Sequence, residues 1–432
     1  MMYFEQGGEN SILTDNDLKK GLFEACKKME TKGKHKNILV IPPDFTRFHS
    51  KAGILTSYAY EYLGAKLTDI LPALGTHTPM TELEISKMFP AVPHSLFREH
   101  EWKEDLVTLG TVPGEFVSEQ TEGKLDFDWP AQVNSLLVEG DFDLILSIGQ
   151  VVPHEVVGMA NYNKNIFIGT GGSEGINKSH FIGAVYGMER MMGRADTPVR
   201  RVLNYASDNF ASKLPIVYVQ TVIGMDDNGE LVTRGLFIGD DYECFEKASE
   251  LSLKVNFKML DKPLKKVIVY LDPEEFRSTW LGNKSIYRTR MAIADGGELI
   301  ILAPGVKEFG EDPEIDRLIR KYGYFGTEKT LDFVNKNEEL QNSLGAAAHL
   351  IHGSAEGRFS VTYCPGYLSR NEIESVNFKY ASLEEMLEKF NPEKLNDGFN
   401  TLSNGEEIYY ISNPALGLWA HKDRFKDNMG GT

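Results

Sequence analysis

The feature that most constrains this chain is a recurring unit. A short aliphatic run is closed at once by Pro, Gly or Asp and is followed by a stretch with helical periodicity. The runs are Ile38–Ile41, Ile70–Leu74, Leu144–Ile148, Val267–Leu271 and Leu299–Ala303. Strands alternating with helices predict βα units on mostly parallel sheets, so the fold class is α/β. Ligands of such sheets bind at the carboxyl ends of the strands. The residues just after each run are therefore the places to look for chemistry. Ile54–Leu63 and Glu82–Met88 read as helices, whereas Asp208–Pro215, polar and then apolar, has no clear assignment.

A chain of 432 residues exceeds one ordinary core, and a polar, Pro-containing stretch at Met259–Lys266 marks the expected break. Two domains follow, 1–262 and 263–407. The final segment, 408–432, holds Trp419 and is expected to pack back on the first domain, with an active-site cleft between the two. Hydrophobic residues make up 41% and charged residues 25%, ordinary for a soluble globular protein. The 46 basic and 63 acidic residues leave a formal charge of -17, which repels phosphate backbones and argues against nucleic-acid binding. The apolar runs are strand-length, so no membrane span is expected. Three widely spaced cysteines, Cys26, Cys244 and Cys364, and the lack of a basic-then-apolar leader point to the cytoplasm.

Three constellations carry chemistry. Pro42-Pro43-Asp44-Phe45-Thr46-Arg47 follows the first run and sets an acceptor, a hydroxyl and a guanidinium able to bind a carboxylate or a phosphate on one turn. Alone it could equally be a turn with a surface ion pair. Gly75-Thr76-His77-Thr78-Pro79 puts a histidine in a Gly-flanked loop, where it can act as acid and base near neutral pH. The richest is His154, then Lys164, then the run Gly169–Gly175 with Gly171 and Gly172, then His180. Lysine can bond covalently to a cofactor, and glycine backbone N–H groups can cradle a phosphate. The order of the glycines fits neither a P-loop nor a dinucleotide fingerprint.

Taken together, this pattern resembles the lactate racemase family. That family carries an Asp-x-Thr-Arg turn, a Gly-Thr-His loop, and a His, Lys, His series at spacings of ten and sixteen. Here these are Asp44 to Arg47, Gly75 to His77, and His154, Lys164 and His180. A later lysine, Lys284, and the Asp295-Gly296-Gly297 entry extend the resemblance over most of the chain. The resemblance implies a nickel-pincer nucleotide held covalently by Lys164, with His180 as the nickel ligand. It also implies cofactor contacts from Asp44, Thr46, Gly171 and Gly172, His77 and His154 as the catalytic acid/base pair, and Arg47 and Lys284 on the substrate carboxylate. The first domain would then bind the cofactor and the second close over the substrate, with cofactor-synthesis proteins as partners. The chain departs from the family at Ala160-Asn161-Tyr162-Asn163, where Ser-Gly-Gly-Arg is frequent, at Leu281, where Gln is found, and at Ile168-Gly169, where Pro-Gly is found.

The chemistry would need these residues. The Cα–H of a 2-hydroxycarboxylate is weakly acidic, so loss of hydride to a cofactor, through a planar 2-keto acid, is the easier route to inversion. The hydroxyl proton must leave as the hydride does, and two stereoisomers require acid/base groups on two sides. A small anionic 2-hydroxyacid is the expected substrate. A sugar acid, inverted between gluconate and mannonate, is the preferred specific one; lactate or another small 2-hydroxyacid is the other. Competing readings are an NAD-dependent hydroxyacid oxidoreductase and a non-catalytic sugar-acid-binding protein. The remaining histidines read as structural, with His49, two residues after Arg47, the main exception.

Overall fold

The computed structural model describes residues 1–226 and 228–427. The chain forms two compact units, one of residues 1–182 and 191–256, the other of residues 183–190 and 257–432.

The first unit is built on a six-stranded sheet in the order Met2–Gly7, Leu231–Gly239, Ile216–Met225, Leu144–Gln150, Ile38–Ile41, Leu67–Ile70. The four strands from Ile216–Met225 to Leu67–Ile70 are parallel, and the other two pair antiparallel at one edge. Ile38–Ile41 and Leu144–Gln150 are buried along their whole length, which is why they read as unbroken aliphatic runs. Helix Asp15–Glu30 opens with a Thr14/Asp17 capping box and buries Leu18, Leu22, Ala25, Cys26 and Met29, one apolar stripe against the sheet.

The Ile70–Leu74 run is corrected. The strand is Leu67–Ile70, whose Thr68 and Asp69 hide it from an apolar count. Leu71–Leu74 runs on in extended form, with the Ala73 N–H bonded to the Pro42 carbonyl at 2.8 Å. This holds the loop of His77 beside the turn of Asp44. Helices Ala52–Leu63 and Glu82–Met88 form where expected, and Asp208–Phe210 ends the helix Pro198–Phe210.

The second unit has its own six-stranded sheet, in the order Lys379–Tyr380, Ser360–Pro365, Ile293–Ala303, Leu264–Tyr270, Glu407–Ile411, Gly398–Thr401. Only the last pair is antiparallel. Its core includes Ile268, Ile300, Leu302, Phe390, Ile408 and Tyr410. Besides the excursion of residues 183–190, the chain passes from the first unit to the second at Asn256/Phe257, slightly before the expected break. Segment 408–432 is corrected: Glu407–Ile411 pairs with Leu264–Tyr270, and Leu418–His421 with Phe257–Leu260, so it belongs to the second unit. Residues 428–432 of that segment lie outside the described residues. Among the described residues no helix is long and apolar enough to cross a membrane.

Candidate active site

The strand Ile38–Ile41 ends in two prolines, and Asp44 then caps the turn Phe45–Ser50. Its Oδ1 accepts the Thr46 N–H at 3.1 Å and the Thr46 hydroxyl. Its Oδ2 lies 2.6 Å from Nδ1 of His77. Asp44 is buried, while the His77 side chain is 59% exposed. Burial pushes the Asp44 carboxyl up, but the hydrogen bonds from His77 and Thr46 outweigh it and hold the group below the usual carboxylate range. A carboxylate only accepts, so Nδ1 of His77 carries the proton and Nε2 keeps a free lone pair, the arrangement of a general base. Gly75, at φ +60, makes the turn that presents this histidine, and its N–H donates to the Gly169 carbonyl at 2.8 Å.

His154 sits on a short antiparallel pair, Pro153–His154 against Gly158–Met159. It is buried, not on an open loop. Its Nδ1 accepts the Val156 N–H at 3.1 Å, and a backbone N–H can only donate, so the neutral ring carries its proton on Nε2. Burial sets its pKa well below the ordinary value. Glu155 opposes that shift, and the charges of Lys164, Arg47 and His180 add to it.

Lys164 keeps a partial opening to solvent, but protein crowds its ammonium. Burial first, then the Arg47 charge, lower its pKa to about 8. His180 lies on helix Ser173–Tyr186, and its Nδ1–H donates to the Ile176 carbonyl at 2.7 Å. That bond fixes the tautomer and leaves the Nε2 lone pair for a ligand. Burial lowers the His180 pKa and so favours the neutral, ligating form.

These residues form one electrostatic group within the first unit. Arg47, Lys164 and His180 act on His154, Asp44 and Arg47 act on Lys164, and Asp44 holds His77. Glu155, which sequence reasoning missed, acts on His154, Lys164 and His180 alike. Thr46 spends its hydroxyl on Asp44. His49 is exposed on the same turn. Lys284 belongs to the second unit, on helix Lys284–Thr289, with its ammonium 5.7 Å from the centre of the buried Phe276 ring.

The glycine run answers to packing. A side chain at Gly171 would overlap the Phe167 carbonyl, and one at Gly172 would overlap the Gln132 carboxamide. Gly171 is therefore required by the backbone it meets, whereas at Gly172 the neighbours are ends of flexible side chains that can move aside. His100, assigned only a structural part by sequence, holds this loop. It is buried, with Nε2 3.0 Å from the Gly171 carbonyl and Nδ1 3.2 Å from the Asn134 carboxamide. No local signal marks it, because its partner is 71 residues away.

Residues 22–192 match the lactate racemase N-terminal domain. A Thermotoga maritima protein of known crystal structure is 28% identical, with a TM-score of 0.77 over 96% of this chain and 100% of that one. The lactate racemase apoprotein from Thermoanaerobacterium thermosaccharolyticum superposes with a TM-score of 0.66 over 96% of this chain and 91% of its own. At 19% identity that likeness speaks to the fold alone. No curated protein matches the chain by sequence.

Proposed function

We propose, from the match of residues 22–192 to the lactate racemase N-terminal domain, that this chain is a member of the lactate racemase family and inverts C2 of a 2-hydroxycarboxylate as a nickel-dependent racemase or epimerase. The observation that carries the reading is one cluster in which Lys164 and His180 are shifted toward their neutral forms beside two histidines of opposite tautomer.

The residues present fit a nickel-pincer nucleotide. A lysine amine with a pKa of about 8 is neutral in roughly one molecule in ten at pH 7, against fewer than about one in a thousand for an ordinary lysine. Neutral amine is what covalent attachment needs. Nε2 of His180 offers one imidazole nitrogen, a donor that suits nickel. Among the described residues no three His, Cys, Asp or Glu side chains gather to hold a metal by themselves, so the organic group would supply the remaining donors. When bound, that group supplies a reversible hydride acceptor, chemistry no side chain provides.

The chain's own residues do the rest. Arg47 offers its planar fork to the substrate carboxylate, with Lys284 proposed as a second cation, and so orients the reacting carbon. His77 takes the hydroxyl proton at Nε2, and Asp44 stabilises the imidazolium that results. His154 offers its Nε2–H to the substrate oxygen on the other approach. To accept a proton there, it must first shift its ring proton to Nδ1 and give up the Val156 bond. The two histidines thus enter the reaction in unequal states.

Within the 2-hydroxyacids we favour an aldonate, epimerised between gluconate and mannonate, because Leu281 and Asn161-Tyr162 depart from the family pattern beside the expected site residues. The buried free thiols of Cys26, Cys244 and Cys364 support a cytoplasmic location, where the cofactor-synthesis proteins would be its partners. The test is expression in a host that makes the cofactor, followed by incubation with each pure stereoisomer of a hydroxyacid panel. Both isomers of the true substrate should drift to one mixture. Unchanged optical purity for every acid, with the cofactor mass present, would contradict the reading.

A further inference from the structure

The segment before Lys164 is strained. Asn161 and Tyr162 both adopt left-handed backbone, at φ +67 and +57. Asparagine tolerates this region, but tyrosine rarely enters it, and two in succession is a costly turn outside glycine. The surroundings hold it in place. The Tyr162 ring packs 4.2 Å from Tyr218 and stacks on Phe245 at 5.2 Å. Arg200, fully buried, donates to the carbonyls of Met159 at 2.7 Å and Asn161 at 3.2 Å, and to the side chain of Asn163. Its guanidinium lies 4.3 Å from the centre of the Phe245 ring. A buried cation and an aromatic cluster thus enforce a conformation that local preference opposes, and such enforced strain gathers at functional positions.

This turn delivers the Asn161 side chain, which is buried yet has no hydrogen-bond partner on either its oxygen or its nitrogen. The carboxamide lies against Gly149, where an added Cβ would come within 2.9 Å of its oxygen. Gly149 and Gln150 end the strand Leu144–Gln150, at the carboxyl edge of the sheet, and the buried Gln150 Oε1 is likewise unpartnered. Buried polar groups without partners are uncommon and costly. One whole carboxamide on an enforced turn, beside a second carboxamide oxygen at the strand end, calls for an outside partner.

We infer that Asn161, with Gln150, binds a hydroxyl-bearing ligand in the first unit, through the unpartnered carboxamide that the Asn161-Tyr162 turn presents beside Gly149. A carboxamide left with both a donor and an acceptor free matches a hydroxyl, which also has both. Hydroxyls could come from the carbon chain of a sugar acid or from the ribose of a nucleotide. This rests on the reading of a 2-hydroxyacid site.

The test is Asn161→Gly, which keeps the left-handed turn accessible and removes the side chain that carries the carboxamide. Calorimetry on the full chain compares gluconate with lactate, and nicotinic acid mononucleotide with nicotinic acid, for the wild type and the variant. If the hydroxyls belong to the substrate, the ratio of gluconate to lactate affinity falls at least about tenfold, as expected when a buried polar contact is lost. If they belong to the ribose, the fall appears in the nucleotide ratio instead. The melting temperature of the unliganded variant should not fall, since an unpaired buried group and a strained turn are both relieved. Unchanged ratios in both pairs, or a lower melting temperature with unchanged ratios, would overturn the inference and make Asn161 a structural residue. The calorimetry uses cofactor-free protein; inversion of gluconate and of the other acids of the panel by cofactor-loaded wild type tests the proposed reaction separately, and its failure would leave any binding difference standing.

Discussion

Asp44 and His77 meet at the edge of solvent, where a buried carboxylate fixes the state of an exposed imidazole. His154, Lys164 and His180 stand where protein crowds them, and burial sets their states. The first region is prepared by pairing, the second by desolvation. Pairing stabilises a charge as it forms, which suits a base that must become a cation. Desolvation favours neutral groups, which suits the covalent attachment proposed for the amine and the metal ligation proposed for the imidazole. The division teaches that one site can bias its groups in two ways, by pairing at the rim and by desolvation inside.

The sharpest break in this comparison is Lys164→Ala. Covalent cofactor attachment should vanish, and an intact-protein mass spectrum should show the bare chain. An added mass equal to that of the parent would remove Lys164 as the anchor.

Next come His77→Gln and His154→Gln. Each should lower inversion of either stereoisomer by about 10²-fold or more, the loss expected for a positioned acid/base group. The two should separate in thermal unfolding, because His154 is buried and holds the Val156 N–H, whereas His77 is exposed. Equal melting temperatures would erase that difference between the regions.

Asp44→Asn should have a smaller effect, about tenfold or more on turnover, by freeing the His77 tautomer while leaving its bulk in place. A loss confined to KM would mean that Asp44 holds substrate and not His77. Smaller again is the titration of Lys164. In cofactor-free protein its modification by an amine reagent should rise with a midpoint near the value of about 8. A midpoint in the ordinary lysine range, about 10.4, would show that the ammonium is solvated.

The mildest effect is on stability. His154 and His180 have folded pKa values below the unfolded value of about 6.5, so the unfolded chain binds protons first as pH falls. Their contribution is whole above that value and is lost as pH drops below it. Denaturant midpoints should therefore decline below about pH 6.5, and His154→Gln should flatten part of the slope. An identical slope in the variant would exclude His154 from it.

Much of this was legible in the sequence, for physical reasons that differ by residue. Ile38–Ile41 and Leu144–Gln150 are buried throughout, so their hydrophobicity is unbroken and each points to the loop that carries chemistry. Asp44, His77, His154, Lys164 and His180 can be singled out together because a spaced series of polar types survives in one dimension, and the structure brings them into one electrostatic group. Leu67–Ile70 was missed because its middle residues are polar, and helix Pro198–Phe210 because only its last turn fell in the ambiguous stretch. Arg200 could not be tied to the Asn161 turn, nor His100 to Gly171, since each contact spans a long stretch of chain. The left-handed backbone of Asn161 and Tyr162 has no glycine to announce it. The described part of segment 408–432 lies in the second unit through strand pairing, which leaves no trace in the pattern of a single strand.

The most direct test of the central claim is optical rotation of a single pure stereoisomer of a 2-hydroxyacid, chosen from the panel, with cofactor-loaded protein and no added nicotinamide nucleotide. The account predicts that rotation decays to the same final value from either isomer, with total hydroxyacid conserved and no net 2-keto acid released. Rotation that holds steady for every acid until NAD is supplied, and then changes with stoichiometric 2-keto acid, would contradict it and identify an oxidoreductase.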